Sequence, residues 1–179
     1  EAIPTAFREG LLESPQASVA SVRPKAIDLY CCAGGASAGL VRAGFDVVGV
    51  DIEPQPHYPF KFIQGDALTV PLEGYDFIWA SPPCQRYSKA QKIMGKEHPD
   101  LVAPTRERLK ESGAQWAIEN VVGAPLVDPI TLCGTMFGLK VYRHRWFECS
   151  FPVDEPPHPE HVAPLRKMGR KPQPGDFMH

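Results

Sequence analysis

The chain has 179 residues, 43% of them hydrophobic and 22% charged, with a formal net charge of -2 at neutral pH. That length suits one compact domain built around a central sheet and is short for a two-lobed enzyme, and the composition is globular rather than disordered. The near-zero charge excludes bulk attraction for a polyanion, so any nucleic-acid contact has to rest on local basic clusters.

Two such clusters exist: Arg86, Lys89, Lys92 and Lys96, and a C-terminal group of Arg143, His144, Arg145, Arg166, Lys167, Arg170 and Lys171. No apolar run reaches the roughly 20 residues that cross a bilayer, and no basic-then-apolar leader opens the chain, so no membrane contact is expected. The five cysteines, Cys31, Cys32, Cys84, Cys133 and Cys149, are odd in number and lack paired spacing. That argues against a disulfide framework and a zinc knuckle and points to reduced thiols in a cytoplasm.

In chain order, Pro4 to Leu12 reads as a short helix and Ser14 to Lys25 as a linker. Ala26 to Tyr30 is an apolar strand, Cys31 to Ser37 a small-residue turn, Ser37 to Gly44 a short helix, and Val47 to Val50 a strand ending at Asp51. Phe60 to Ile63 is a weak strand before Gly65-Asp66, and Tyr75 to Ala80 a strand running into Ser81-Pro82-Pro83-Cys84. Leu101 to Ser112 reads as a helix and Gln115 to Ile118 as a strand ending at Glu119-Asn120. From Phe151 onward the prolines crowd and regular structure should stop. Strands alternating with helices predict an α/β fold with a mainly parallel sheet and ligands at the carboxyl ends of its strands, a Rossmann-like arrangement.

Three groups of residues carry chemistry. Asp28 to Gly39 reads D-L-Y-C-C-A-G-G-A-S-A-G, a glycine-rich turn that lets a ligand approach the backbone and the amides opening the next helix. Asp51, about 20 residues on, occupies the position from which doubly wound folds bind ribose hydroxyls. Together they predict an adenosine-containing cofactor. Ser81-Pro82-Pro83-Cys84-Gln85 holds a thiol in a stiff turn after a strand. Glu119 ends another strand, where partial desolvation would raise its pKa and let it donate a proton beside Cys84.

The order of D-L-Y-C-C-A-G-G-A-S-A-G-L with A-G-F, then P-P-C-Q-R-Y-S, then E-N-V resembles the motifs of the DNA cytosine-5 methyltransferase family over roughly Ala26 to Phe147. The resemblance implies a Rossmann-like S-adenosyl-L-methionine-dependent methyltransferase that makes S-adenosyl-L-homocysteine and acts on double-stranded DNA. It implies that Cys84 adds to C6 of a flipped-out cytosine while Glu119 engages N3. Asn120 would orient the Pro-Pro-Cys loop, and Arg143 and Arg145 would form the Arg-x-Arg pair that steadies the base and adjoining phosphate. Tyr30, Gly34 and Gly35 would contact the cofactor, Asp51 its ribose and Asp66 its adenine amino group; Asp28, Ser37, Ile52 and Pro82 belong to the same expected cofactor set. Covalent addition next to C5 is what makes that carbon nucleophilic, and extrusion is needed because stacked ring faces are inaccessible.

Two features depart from the family. Val141 stands where a glutamine usually precedes the first of the two arginines, and the proline-rich stretch after Phe147 replaces an expected recognition domain. The opening Glu1-Ala2-Ile3-Pro4-Thr5-Ala6 resembles the start of the family's last motif, which suggests a circular permutation or a fragment. The expected organisation is therefore 1–25 as displaced helix and linker, 26–150 as catalytic domain and 151–179 as a tail, in a monomer of a bacterial or phage modification system. Three alternatives stay open: an RNA cytosine-5 methyltransferase, a relative attaching another one-carbon group, and an inactive fragment that binds cofactor or DNA. His158 and His161 lie in a proline-rich loop with no cysteine or acidic residue at ligand spacing, so they read as solvent-exposed histidines and no metal is expected.

Overall fold

The computed structural model describes residues 22–87, 98–164 and 175–178. The helix expected over Pro4 to Leu12 lies outside these residues, as do Lys89, Lys92, Lys96, Arg166, Lys167, Arg170 and Lys171. In chain order the elements are β1 (Lys25–Leu29), α1 (Gly35–Arg42), β2 (Asp46–Asp51), β3 (Lys61–Gln64), β4 (Phe77–Ala80), α2 (Val102–Glu111), β5 (Gln115–Asn120), β6 (Ile130–Cys133) and β7 (His144–Cys149). The strands form one seven-stranded sheet in the order β3-β2-β1-β4-β5-β7-β6. The first five are parallel, whereas β7 runs antiparallel to both β5 and β6.

The central strands are aliphatic because a parallel sheet covered on both faces leaves no side for polar alternation. Ile27, Leu29, Val50, Ile78, Ala80 and Ile118 come from four of these strands, and Leu109 of α2 and Trp116 of β5 close over them to make the core. α2 buries Val102, Thr105 and Leu109, a helical stripe spaced three and four residues apart. Pro104 falls in its first turn, where the missing amide would have had no partner inside the helix. Asp100 Oδ1 instead accepts the Val102 amide at 3.1 Å. Farther along α2, the Arg108 guanidinium donates to the carbonyls of Ala67 and Val70 and holds the loop after β3. Gly49 in β2 leaves room for the Tyr58 ring against the strand, since a Cβ there would stand 2.2 Å from the Tyr58 hydroxyl and force that side chain to shift.

The fold expected from the sequence is the one observed, with two additions. The antiparallel pair β6 and β7 was not foreseen. Because β7 pairs with Glu119 and Asn120, β5 continues two residues beyond its expected end at Ile118. No helix among the described residues is long and apolar enough to cross a membrane.

A clamp joins α2 to this added edge. Arg106 Nε donates to Glu148 Oε1 at 2.6 Å and Nη2 to Oε2 at 2.7 Å, while Nη2 also reaches the Pro125 carbonyl at 2.6 Å and the Val127 amide donates to Glu148 Oε2 at 2.9 Å. The two side chains are only 11% and 6% exposed. Removing the guanidinium alone would leave a buried carboxylate without its counter-charge, the costly way to break such a pair. Arg106→Met is expected to lower the unfolding free energy by about 3–5 kcal/mol in urea denaturation, with part of the loss recovered in Arg106→Met/Glu148→Gln. A single-variant loss below about 1 kcal/mol would show that solvent already screens the pair.

Candidate functional site

The strand order reverses between β1 and β4, so the loops leaving these two strands flank the crevice in which open α/β sheets bind ligands. The loops are knitted to the sheet by backbone bonds: the Ser81 amide donates to Leu29 O at 3.1 Å, the Cys31 amide to Val50 O at 3.0 Å and the Gly65 amide to Asp51 O at 2.9 Å. Three residues of the turn after β1, Tyr30, Cys32 and Gly34, have positive φ of 60, 45 and 86°. Such conformations cost non-glycine residues on the order of 1–3 kcal/mol each and persist only where surroundings enforce them. Asp51 supplies part of that enforcement, its Oδ2 accepting the Cys32 amide and its Oδ1 the Glu53 amide, both at 3.0 Å.

Asp28 is fully buried at the end of β1. Its Oδ2 accepts the Ser37 hydroxyl, and Ser37 Oγ and the Tyr58 hydroxyl share a further bond of 2.6 Å. Oδ1 has no hydrogen-bond partner among the described residues. Burial pushes the Asp28 carboxyl up to about 6, partly opposed by its bonds with Ser37. Tyr30 turns toward α2, sharing a 2.8 Å bond with Thr105 Oγ1, and burial raises its phenol. At Gly35 a Cβ would meet nothing within 4 Å, so open space adjoins the start of α1. Ile52 is 67% exposed at the tip of β2. Asp66 is exposed and accepts the Leu68 amide at 2.8 Å in an Asx turn.

The loops after β4 and β5 lie side by side because those strands pair through Ala80 and Ile118. Pro82 sits in the first loop, and buried Asn120 Nδ2 donates to its carbonyl at 2.9 Å. Half-buried Cys84 begins a tight turn in which the Tyr87 amide donates to Cys84 O at 3.0 Å. Glu119 Oε1 receives Arg145 Nε at 2.7 Å, with side chains 22% and 24% exposed. Desolvation raises the Glu119 pKa, against the lowering influence of Arg145, a Ser81 hydrogen bond and the charge of Arg143. Arg143 itself is exposed.

Ser81 and Trp79 are additions that the sequence reading missed. Trp79 Nε1 donates to Ser81 Oγ at 2.8 Å, which leaves the Ser81 hydrogen free for the Glu119 carboxylate. Their i, i+2 spacing, with Trp79 in β4 and Ser81 just past its end, carries the extended-chain alternation that turns both the same way, and that was the available signal. Also missed was a cluster on the sheet's outer edge, where Cys133 and His144 meet His158 and His161. At the opposite end of the sheet, where the strands begin, a shallow hollow is lined by Lys25, Asp46, Val48, Lys61 and Tyr75, remote from all of these groups.

Comparison with known proteins agrees with this arrangement. The chain is 34% identical over 116 residues to the type II methyltransferase M.NgoMIV of Neisseria gonorrhoeae, an alignment covering 58% of this chain and 36% of that protein. The fold matches the crystal structure of the S. pombe Dnmt2 methyltransferase with a TM-score of 0.51 at 17% identity, over 74% of this chain and 51% of that one. The chain thus spans about a third of the curated relative and half of the solved one. The sequence model of C-5 cytosine-specific DNA methylases matches residues 24–124, which include the glycine turn, the Pro-Pro-Cys loop and Glu119-Asn120. The chain belongs to the C-5 cytosine-specific DNA methylase family.

Proposed function

We propose that the chain transfers a methyl group from S-adenosyl-L-methionine to C5 of cytosine in double-stranded DNA, with Cys84 as nucleophile and Glu119 as proton donor. The observation that carries this reading is the placement of the Cys84 loop and the desolvated Glu119 on neighbouring strand tips, next to the glycine turn. The cofactor's features fit the residues present: open space at Gly35 admits a backbone-hugging ligand, and Asp28 Oδ1, without a partner among the described residues, is a buried acceptor suited to a cationic group. Asp51 keeps further lone pairs for ribose hydroxyls beyond the two amides it accepts. Bound S-adenosyl-L-methionine supplies the electrophilic methyl group.

The rest of the chemistry falls to the chain's own side chains. The Cys84 thiolate forms a bond to C6 while Glu119 gives its proton to N3, which places electron density on C5. C5 then takes the methyl group, loses its proton to solvent or a base, and expels the thiolate as Glu119 recovers its proton. Arg145 fixes the Glu119 carboxyl, and the Trp79-Ser81 pair orients it from the other side. Arg143, exposed beside them, is free to reach a phosphate.

A duplex carrying 5-fluorocytosine cannot release the adduct, because fluorine replaces the departing proton. With S-adenosyl-L-methionine present, the chain is expected to give a denaturation-resistant adduct, and Cys84→Ala none. An adduct with RNA alone would reassign the substrate, and its absence from both nucleic acids despite cofactor binding would sink the proposal.

The raised pKa of Glu119 gives a second expectation. A donor whose pKa lies above the ordinary carboxylate range keeps its proton to higher pH, so the rate of hydrogen exchange at cytosine C5 should fall as pH rises through that pKa. Glu119→Gln is expected to slow exchange by about 10²–10⁴-fold and to remove this fall. An unchanged pH profile in Glu119→Gln would assign the proton to another group.

A further inference from the structure

We propose that Cys133, His144, His158 and His161 form a tetrahedral zinc site that fastens the proline-rich segment to the β6-β7 edge. One potential ligand atom from each residue lies within 4.8 Å of all the others. Cys133 Sγ is 3.4 Å from His161 Nε2, and His144 Nε2 is 3.0 Å from His158 Nε2. A tetrahedral zinc with ordinary Zn–N and Zn–S bonds separates its ligand atoms by roughly 3.3–3.7 Å, so only small adjustments are needed to close around the ion.

The ligands come from two sources, a strand ladder and a loop. Cys133 and His144 face each other across the antiparallel ladder, which fixes one thiol and one imidazole on the same face of the sheet. His158 and His161 belong to a His-Pro-Glu-His stretch whose loop is tied down on both sides. The Thr131 amide donates to Glu155 Oε2 at 2.9 Å before it; after it the Ala163 amide donates to the Tyr142 hydroxyl at 2.8 Å and the Phe177 amide to Pro164 O at 3.1 Å. The His161 ring stacks on buried Tyr142 with centroids 3.8 Å apart, and Phe177 stacks on Tyr142 in turn at 4.6 Å. These contacts orient the imidazole as outer partners orient metal ligands.

The sulfur has the surroundings of a ligand. Thr135 Oγ1 lies 3.2 Å from Cys133 Sγ as a donor and the Met136 backbone amide also donates to it, while the thiol hydrogen that zinc would replace points to the Val141 carbonyl at 3.7 Å. Two donors aimed at one sulfur suit an electron-rich, metal-bound thiolate. The loop from 152 to 164 has no fully buried residue, and Val162 is 81% exposed. Hydrophobic burial therefore does little to offset the entropy of ordering it, whereas a bound ion would offset it directly. Imidazole and thiolate ligands in a four-coordinate set select zinc, and with four protein ligands the site is closed and structural. Its mechanical consequence is local, since His144 adjoins Arg145, the partner of Glu119.

The test uses the full chain without a histidine tag, purified in the absence of chelators, and does not depend on methylation. Elemental analysis should find one zinc per chain. Cobalt substituted for zinc should give the intense visible bands of a tetrahedral ion and a near-ultraviolet thiolate charge-transfer band, the latter lost in Cys133→Ser. His158→Ala and His161→Ala change exposed loop positions and should leave the fold intact by circular dichroism. Each should weaken zinc binding by more than about 100-fold, beyond the roughly 10–100-fold that removing an outer-shell partner costs. A chelator should lower the melting temperature of the parent chain but not of the double histidine variant. Failure to retain zinc at equimolar concentration, or cobalt spectra unchanged by both histidine substitutions, would overturn the proposal.

Discussion

The buried hydrogen bond from Asn120 to the Pro82 carbonyl is the contact on which the candidate site depends. Pro82 and Pro83 have no amide hydrogens, so the loop carrying Cys84 cannot tie itself to the sheet through those two residues. Its carbonyl is the group left to anchor, and a carbonyl buried without a donor would cost about 1–3 kcal/mol. Asn120 supplies the donor from the neighbouring strand and in doing so couples the position of the thiol to that of Glu119, one residue earlier. The stiffness of the prolines then limits how far the thiol can wander from that anchor.

Three carboxylates near this end of the sheet have been given three different environments. Glu148 meets a guanidinium fork and an amide, so its charge is fully accounted for inside the protein. Asp28 meets the hydroxyl and the backbone amide of uncharged Ser37, and burial still drives its pKa up to about 6. Glu119 lies between them: one arginine and one serine hydrogen bond hold it, yet desolvation still outweighs them and raises its pKa. The three acids thus differ in how many charged and hydrogen-bonding partners oppose their burial. That contrast comes from which strand each residue occupies rather than from any difference in the acids themselves.

Most of the parallel sheet was legible because its strands obey simple rules. Ile27, Leu29, Val47 and Val50 are aliphatic runs bounded by glycine or polar residues, and the helices between them carry helical spacing. The positions of Cys84, Glu119 and Asn120 followed from the same logic, since each lies at the carboxyl end of a parallel strand. β6 and β7 escaped it. The sequence His144-Arg145-Trp146-Phe147-Glu148-Cys149 alternates only weakly, because Glu148 is polar and yet buried by its bond to Arg106. A buried charge reads as a loop residue until its partner, 42 residues away, is known. The same limitation hid the histidine cluster: His158 and His161 are exposed, as their loop suggested, but Cys133 and His144 reach them only through the ladder between β6 and β7.

The reversed direction of β7 explains why its arginines can take part at all. In a parallel sheet a residue must stand at the end of its strand to reach the ligand edge, and Arg143 and Arg145 stand at the start of theirs. Because β7 runs against β5, its first residues arrive at the edge where β5 ends. Glu119 faces Phe147 directly, so Arg145, two residues earlier on the same face, is its diagonal neighbour, within reach of a long side chain. His144 points to the other face, opposite Cys133. One short segment thus presents Arg145 to the carboxylate on one side and an imidazole to the histidine cluster on the other. A shift of a single residue in the β5-β7 register would exchange the two faces and separate Arg145 from Glu119. Whatever holds β7 in register, whether the Arg106-Glu148 clamp at one end or the cluster around His144 at the other, therefore also holds Arg145 against Glu119.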